Sequence, residues 1–173
     1  MPVAPFTLEE RSVVHAEELF RVLCDTSLYE FLDEDPPGSV AELAEKLARS
    51  ESRLSPSGKE HWLNWVVRVE SGALAGYVQA TVEETKDVNV AYVFGREFQG
   101  QGVAGAAVQQ MLEIVIEGYQ VRNLFITAEA ANLRSLRVAE RLGFKLAPSH
   151  LASARNPGPN DVVYWRPAAS SEA

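Results

Sequence analysis

Residues 92–105, YVFGREFQGQGVAG, carry three glycines between an apolar extended run and the start of an amphipathic helix. No other passage restricts the fold as much. A strand that turns through glycines into a helix, and is followed by a further apolar strand, most simply forms a β-α-β unit with parallel strands. The helix, 103 to about 117, puts Ala104, Ala107, Val108, Met111, Leu112 and Val115 on one face, and the strand after it is NLFITA, 123–128.

The flanking sequence fixes the setting of that unit. Before it, WLNWVVRVESGALAGYVQATVEETKDVNVAYVF offers three strand-like runs with short polar breaks at Ser71-Gly72 and Lys86-Asp87, the pattern of an antiparallel meander. The N-terminal third is expected to be mostly helical: Ala16, Leu19, Phe20 and Leu23 share a face, as do Val40, Leu43, Ala44 and Leu47, with Ser39 and Glu42 spaced as a capping box. Between these helices, Asp33, Glu34 and Asp35 read as an exposed acidic loop. After the unit, NLRSLRVAERLGF predicts a short helix opened by Asn132 and closed by Gly143. A strand at 144–146 and a last strand, DVVYWR at 161–166, follow, separated by the loop PSHLASARNPGPN, placed to cover a site. The expected architecture is α/β in the α+β sense: a mixed, mostly antiparallel sheet flanked by helices, one domain over 1–167 and a disordered tail at 168–173.

Composition excludes several functions. A chain of 173 residues with 46% hydrophobic content can bury one core without metal or disulfide. The charge of -8 opposes nucleic acid, whose backbone is held mainly by Lys and Arg, and suits a cationic partner. The single Cys24 excludes a disulfide framework within the chain and is expected to be a small buried hydrophobe. The opening MPVAPFTLEERSVV meets an acid by Glu9 and has no basic start before an apolar core, and no apolar run nears the ~20 residues of a membrane span. A cytoplasmic protein is expected. His15, His61 and His150 have no metal-ligand spacing, so no metal is expected.

Gly100, Gly102 and Gly105 spell G-x-G-x-x-G, and Glu129 stands where a ribose-binding acid of a dinucleotide fold would lie. Too few β-α units remain after Glu129 for that fold, the preceding strands look antiparallel, and residues 95–99 separate strand from turn where the dinucleotide turn is tight. A Walker loop is excluded because no Gly-Lys-Ser/Thr follows. The remaining physical readings are a backbone nest at 99–104 that receives a pyrophosphate at the positive end of the helix, or a helix-entry turn that needs glycine for its shape.

Gln99-x-x-Gly102-x-Ala104 resembles motif A of the GNAT acetyltransferases, and Asn132-x-x-Ser135 followed by Val138-Ala139-Glu140-Arg141-Leu142-Gly143-Phe144 is similar to their motif B. With Trp62 and Trp65, the phrase NVAYVFGREFQGQGVA and the ending VVYWR, the resemblance extends over about 7–166, toward the ribosomal-protein N-terminal alanine acetyltransferases. It implies acetyl-CoA as cosubstrate and direct transfer to an amine. Gln99, Gly100, Gln101, Gly102, Val103 and Ala104 would hold the pyrophosphate, Asn132 the pantetheine arm, and a backbone N–H of Val93 or Phe94 the thioester carbonyl.

Arg137, with Arg134 and Arg141 at helical spacing, would lie near the phosphates. Many members of the family carry a general-acid Tyr seven residues after the motif-B Asn, where this chain has Ala139, and Ser135 is the expected substitute as donor to the sulfur; a first-turn serine bonded to local backbone is the alternative. Glu83, Glu84, Asp87 and Glu129 are candidate bases or solvated carboxylates. Trp62, Trp65 and Trp165 either line an acceptor pocket or belong to the core. Acceptors consistent with the resemblance are a protein N-terminus or a small amine, and an acetyl-CoA sensor without turnover is the reading from another class. Oligomeric state, monomer or homodimer, is left open by the sequence.

Overall fold

The computed structural model describes residues 2–169, so most of the expected disordered tail lies outside the described residues. Seven strands form one sheet in the order β1-β2-β3-β4-β5-β7-β6. They are β1 (Phe6–Glu10), β2 (His61–Val69), β3 (Leu74–Val82), β4 (Asp87–Phe94), β5 (Asn123–Glu129), β6 (Lys145–Leu146) and β7 (Asp161–Pro167). The helices are α1 (Ala16–Leu23), α2 (Val40–Ser50), α3 (Val103–Tyr119), α4 (Leu133–Arg141) and α5 (Ser149–Ser153). Only β4 and β5 pair in parallel, as a crossover through α3 requires, and every other neighbour pair is antiparallel.

Alternation along the strands divides the core between two faces. Val88, Val90 and Phe94 of β4 lie with Val78, Ala80 and Val82 of β3 beneath Ala107, Val108, Met111, Leu112 and Val115 of α3. On the other face Val66 and Leu74 meet Leu19 and Leu23 of α1 and Leu43 and Leu47 of α2. The meander, α3, β5, α4 and β7 thus match the sequence expectation.

Four expectations need correction. The N-terminal third is not only helical: β1 pairs with Trp65–Val69 of β2, where Phe6 and Leu8 pack on the α3-side core. The loop 148–160 contains α5, and beyond it Arg155 lies over the paired strands β4 and β5, donating to Glu83 at 2.9 and 3.0 Å and to Asn89 at 3.1 Å, with its guanidinium 4.7 Å from the Phe125 ring centre. The capping box at α2 is half formed: Ser39 accepts from the Glu42 N–H at 3.1 Å, while the Glu42 carboxylate accepts from the Gly38 N–H at 3.2 Å. Cys24 is exposed at the end of α1 rather than buried.

His15 is the reverse case, an incidental residue in the sequence and a buried junction in the fold. Its Nδ1 accepts from the Ser12 N–H at 3.1 Å and its Nε2 lies 3.2 Å from Glu9, which Arg68 joins to Glu18. This group of side chains ties β1, β2 and α1 together.

Candidate active site

The parallel seam between β4 and β5 closes only at Asp87, Val88 and Asn89, which pair with Asn123, Leu124 and Phe125. Beyond it the strands diverge around a cleft of about 830 Å³. Val90, Tyr92 and Phe94 line one wall, Ile126, Ala128 and Glu129 the other, with Gln99, Ala104, Asn132, Ser135 and Arg137 at one end. Leu28, Phe31 and Asp33 before α2, and Gly158–Asn160 with Asp161 at the start of β7, cover it.

Register decides which β4 amides face this opening. The Gly95 N–H donates to Ala75 and the Glu83 N–H to Asp87, both at 2.9 Å, with unbroken pairing from Val82–Val88 to Gly76–Phe94 between them. Odd-numbered β4 residues therefore turn their backbone groups toward β3, and even-numbered ones turn theirs toward the gap. Of the two expected donors, the Val93 N–H belongs to the β3 ladder opposite Tyr77, whereas the Phe94 N–H faces the cleft, as does that of Tyr92. The Phe94 carbonyl is occupied: the Gln99 amide donates to it at 2.8 Å.

The glycine turn is shaped by backbone conformation. Gly100 and Gly102 have φ of +77° and +80°, left-handed values that L side chains rarely adopt. A Cβ on Gly100 would meet nothing within 4 Å, and one on Gly102 would come 3.1 Å from a Val3 methyl. Gly102 caps α3 without a side-chain acceptor, and the first intrahelical bond runs from the Ala106 N–H to the Gly102 carbonyl at 3.1 Å. The N–H groups of Val103, Ala104 and Gly105 precede that ladder at the positive end of a 17-residue helix with no acid in its first turn. Gln101 is exposed and donates to the Glu97 carbonyl at 2.8 Å, which braces the turn.

At α4, Asn132 is the N-cap, its side chain accepting from the Ser135 N–H at 3.3 Å. Arg134 donates to the Gln99 side chain and so joins α4 to the turn, while Arg137 is exposed beside the cleft; Arg141 is not on its lining. Ser135 is not bonded through its hydroxyl to local backbone. Its Oγ lies 2.9 Å from the Tyr92 hydroxyl, which also donates to the Ser135 carbonyl at 2.8 Å. Burial pushes the Tyr92 phenol up to about 12, against the opposing effect of the Ser135 hydrogen bond. Tyr92 is the site residue that sequence reading missed; its signal is strand parity, which puts it on the same face as Val90 and Phe94.

Among the candidate bases, Glu83 is held by Arg155 and Asn89, Glu84 lies 3.9 Å from Lys59, and Asp87 accepts from Asn123 at 2.9 Å, all at the closed end of the seam. Only Glu129 of these four lines the opening. The described residues hold no cluster of metal-binding side chains.

A second cavity, about 1330 Å³, lies between the sheet and the α1–α2 segments. Arg11, Tyr29, Tyr77 and Asn64 line it together with the acids Glu34, Asp35 and Glu60, and it meets the first cleft at Ala91, Tyr92 and Val93. Arg11 lies 5.3 Å from the Tyr77 ring centre, and burial lowers its proton affinity and raises that of Tyr77. Trp62 lines this cavity and donates to Glu60 at 3.0 Å, Trp65 is in the core, and Trp165 donates to Asn123 at 2.9 Å within the sheet.

No curated protein sequence matches the chain significantly. Solved structures do match in fold. RimL, the ribosomal L7/L12 alpha-N-protein acetyltransferase, in complex with coenzyme A, superposes with a TM-score of 0.78 at 23% identity, over 96% of each chain. The microcin C7 self-immunity acetyltransferase MccE, with acetyl-CoA and AMP, gives 0.77 at 17% identity over 96% of this chain and 97% of that one. Spermidine N-acetyltransferase from Vibrio cholerae, with CoA and spermine, gives 0.72 at 15% identity over 94% and 95%. The acetyltransferase (GNAT) domain model matches residues 6–145, which contain the glycine turn, both walls of the cleft and the whole of α4, and the chain therefore belongs to the GNAT acetyltransferases.

Proposed function

We propose that this N-acetyltransferase transfers the acetyl group of acetyl-CoA directly to a primary amine, and that the acceptor is a protein N-terminal α-amine. The observation that carries the reading is the open β4–β5 seam, where backbone N–H groups of Tyr92 and Phe94 face a cleft bounded by the α3 and α4 N-termini. Gln99, Gly100, Gln101, Gly102, Val103 and Ala104 form the pyrophosphate turn, Arg137 adds charge beside it, and Asn132 and Ser135 flank the arm that carries the thioester. In this reading the Phe94 N–H, rather than that of Val93, stabilises the oxygen charge that develops during attack. The amine nitrogen forms a bond to the acetyl carbon as the carbon–sulfur bond breaks; the attacking amine sheds one proton and the departing sulfur gains one. Ser135 donates a hydrogen bond to that sulfur.

The second cavity supports the acceptor assignment. It reaches β4 where the first cleft does, so an acceptor seated in it would approach the same strand as the thioester. An α-amine near pKa ~8 is partly neutral at physiological pH and needs less help than a lysine near ~10.4, which suits a site whose wall offers Glu129 alone among the expected carboxylates. The same reading treats residues 1–167 as one catalytic domain in the cytoplasm; no helix among the described residues is long and apolar enough to cross a membrane.

CoA release with a panel of N-terminal peptides, spermidine and an aminoglycoside tests the assignment. A kcat/KM at least tenfold higher for peptides bearing free α-amines is expected. Preference for either small amine would move the acceptor class, and acetyl-CoA binding without turnover across the panel would make the protein a sensor.

A further inference from the structure

The Tyr92 hydroxyl meets Ser135 twice, 2.8 Å from its carbonyl oxygen and 2.9 Å from its Oγ. A phenol has one proton, and a carbonyl can only accept. With that proton on the Ser135 carbonyl, the Ser135 hydroxyl must donate to the phenol oxygen, so both hydroxyls are satisfied inside the protein. If Ser135 instead turned its O–H toward a neighbouring anion, the phenol could turn its own O–H from the carbonyl to Ser135 Oγ. Neither exchange moves a heavy atom. The pair is therefore a donor that is stored in one arrangement and delivered in another.

We propose that Tyr92 is a positioning residue for the transfer, acting through Ser135: it holds the Ser135 hydroxyl toward the cleft and backs it with its own proton when the sulfur leaves as a thiolate. The inference rests on the reading of the cleft as an acetyl-CoA site. In the step itself the carbon–sulfur pair stays on sulfur, the Ser135 O–H turns to that anion, and the Tyr92 O–H turns to Ser135 Oγ. No proton leaves Tyr92. The thiolate takes its proton from the one released by the acylated nitrogen. Because burial keeps the phenol protonated far above physiological pH, Tyr92 serves as a donor throughout and never as a base. The arrangement would offset Ala139, where many members of the family carry a tyrosine: here a tyrosine reaches the same helix from strand β4.

Two measurements separate this role from simple support of α4. The first is the ionisation of the CoA thiol bound to the protein, followed by thiolate ultraviolet absorbance across pH. Glu30, Asp33, Arg96, Glu129, Arg134, Arg137 and Asp161, the charged groups on the cleft lining, are the same in all variants, so their fields cancel in the comparison. The bound thiol should titrate below its ordinary value of ~8.5 in the wild type and shift upward in Tyr92→Phe. The second is a double-mutant cycle in kcat. Tyr92→Phe should lower kcat about five- to tenfold with unchanged acetyl-CoA affinity, and should cost nothing further in a Ser135→Ala background. The phenyl ring is kept, and matched unfolding midpoints will verify that packing is intact.

If CoA fails to bind at all, the cofactor site itself is wrong. If CoA binds but Tyr92→Phe leaves both the thiol titration and kcat unchanged, or lowers kcat as much without Ser135 as with it, the inference is overturned while the site stands.

Discussion

Arg155 offers the sharpest test of how the closed end of the seam supports the open one. Its side chain is 12% exposed and that of Glu83 is 21% exposed, and they meet through two hydrogen bonds of 2.9 and 3.0 Å. Replacing Arg155 by Met keeps much of the aliphatic volume but leaves the Glu83 carboxylate largely buried without its cation. Breaking one side of a fully buried pair costs about 3–5 kcal/mol, mainly through the stranded charge; Glu83 is 21% exposed and still accepts from Asn89, so roughly half of that, about 2 kcal/mol, is expected. For a chain of this length each kcal/mol moves the unfolding midpoint by roughly 2–4 °C, so a loss of roughly 4–8 °C follows. Glu83→Gln in the Arg155→Met background removes the stranded charge and should recover at least half of the lost stability. Urea unfolding with all four members of the cycle measures this, and unchanged urea dependence would show that the denatured state is not responsible. If the double variant is as unstable as the two single losses added together, ion pairing is not what Arg155 contributes. The reasoning fails equally if Arg155→Met melts within 2 °C of the wild type, roughly the shift of a single kcal/mol or less.

Three further outcomes follow from the geometry. Gly102→Ala places an L side chain at φ +80° and a Cβ 3.1 Å from Val3, so a loss of about 1–2 kcal/mol is expected in urea unfolding, while Gly102→Glu should also abolish stabilisation by acetyl-CoA. Acetyl-CoA at a hundred times its dissociation constant adds about 2.7 kcal/mol and should raise the midpoint by roughly 5–10 °C, whereas NAD should leave it unchanged. Hydrogen bonds from Arg68 hold the Glu9 and Glu18 carboxyls below their ordinary values, so their contribution is full above the unfolded carboxylate range and is lost as pH falls through the folded values; stability of Arg68→Met should therefore fall less steeply than wild type on acidification.

Local pattern made part of this molecule legible. The meander and the β-α-β unit were readable because their turns are short and their periods unmixed, and Asn132 and Gly143 bound α4 with chemistry confined to a few residues. β1 was not, since FTLEE is short and polar and becomes a strand only against β2, about sixty positions later. Which amide faces the cleft was undecidable between Val93 and Phe94 until the register with Gly76 and Tyr77 was known, because a one-residue shift reverses it. Tyr92 and Ser135 are 43 positions apart, and Arg155 and Glu83 are 72 apart. Pairings of that kind are created by the crossover and the long loop, and no periodicity announces them.

The meeting of two cavities at Ala91–Val93 bears on kinetic order. In the proposed reading donor and acceptor approach the same strand through separate cavities, so neither would need to leave before the other arrives. Initial-rate lines drawn against one substrate at fixed levels of the other should intersect rather than run parallel. A single molecule that joins CoA sulfur to an acceptor amine through a short linker would occupy both openings together, and it would compete with each substrate in turn.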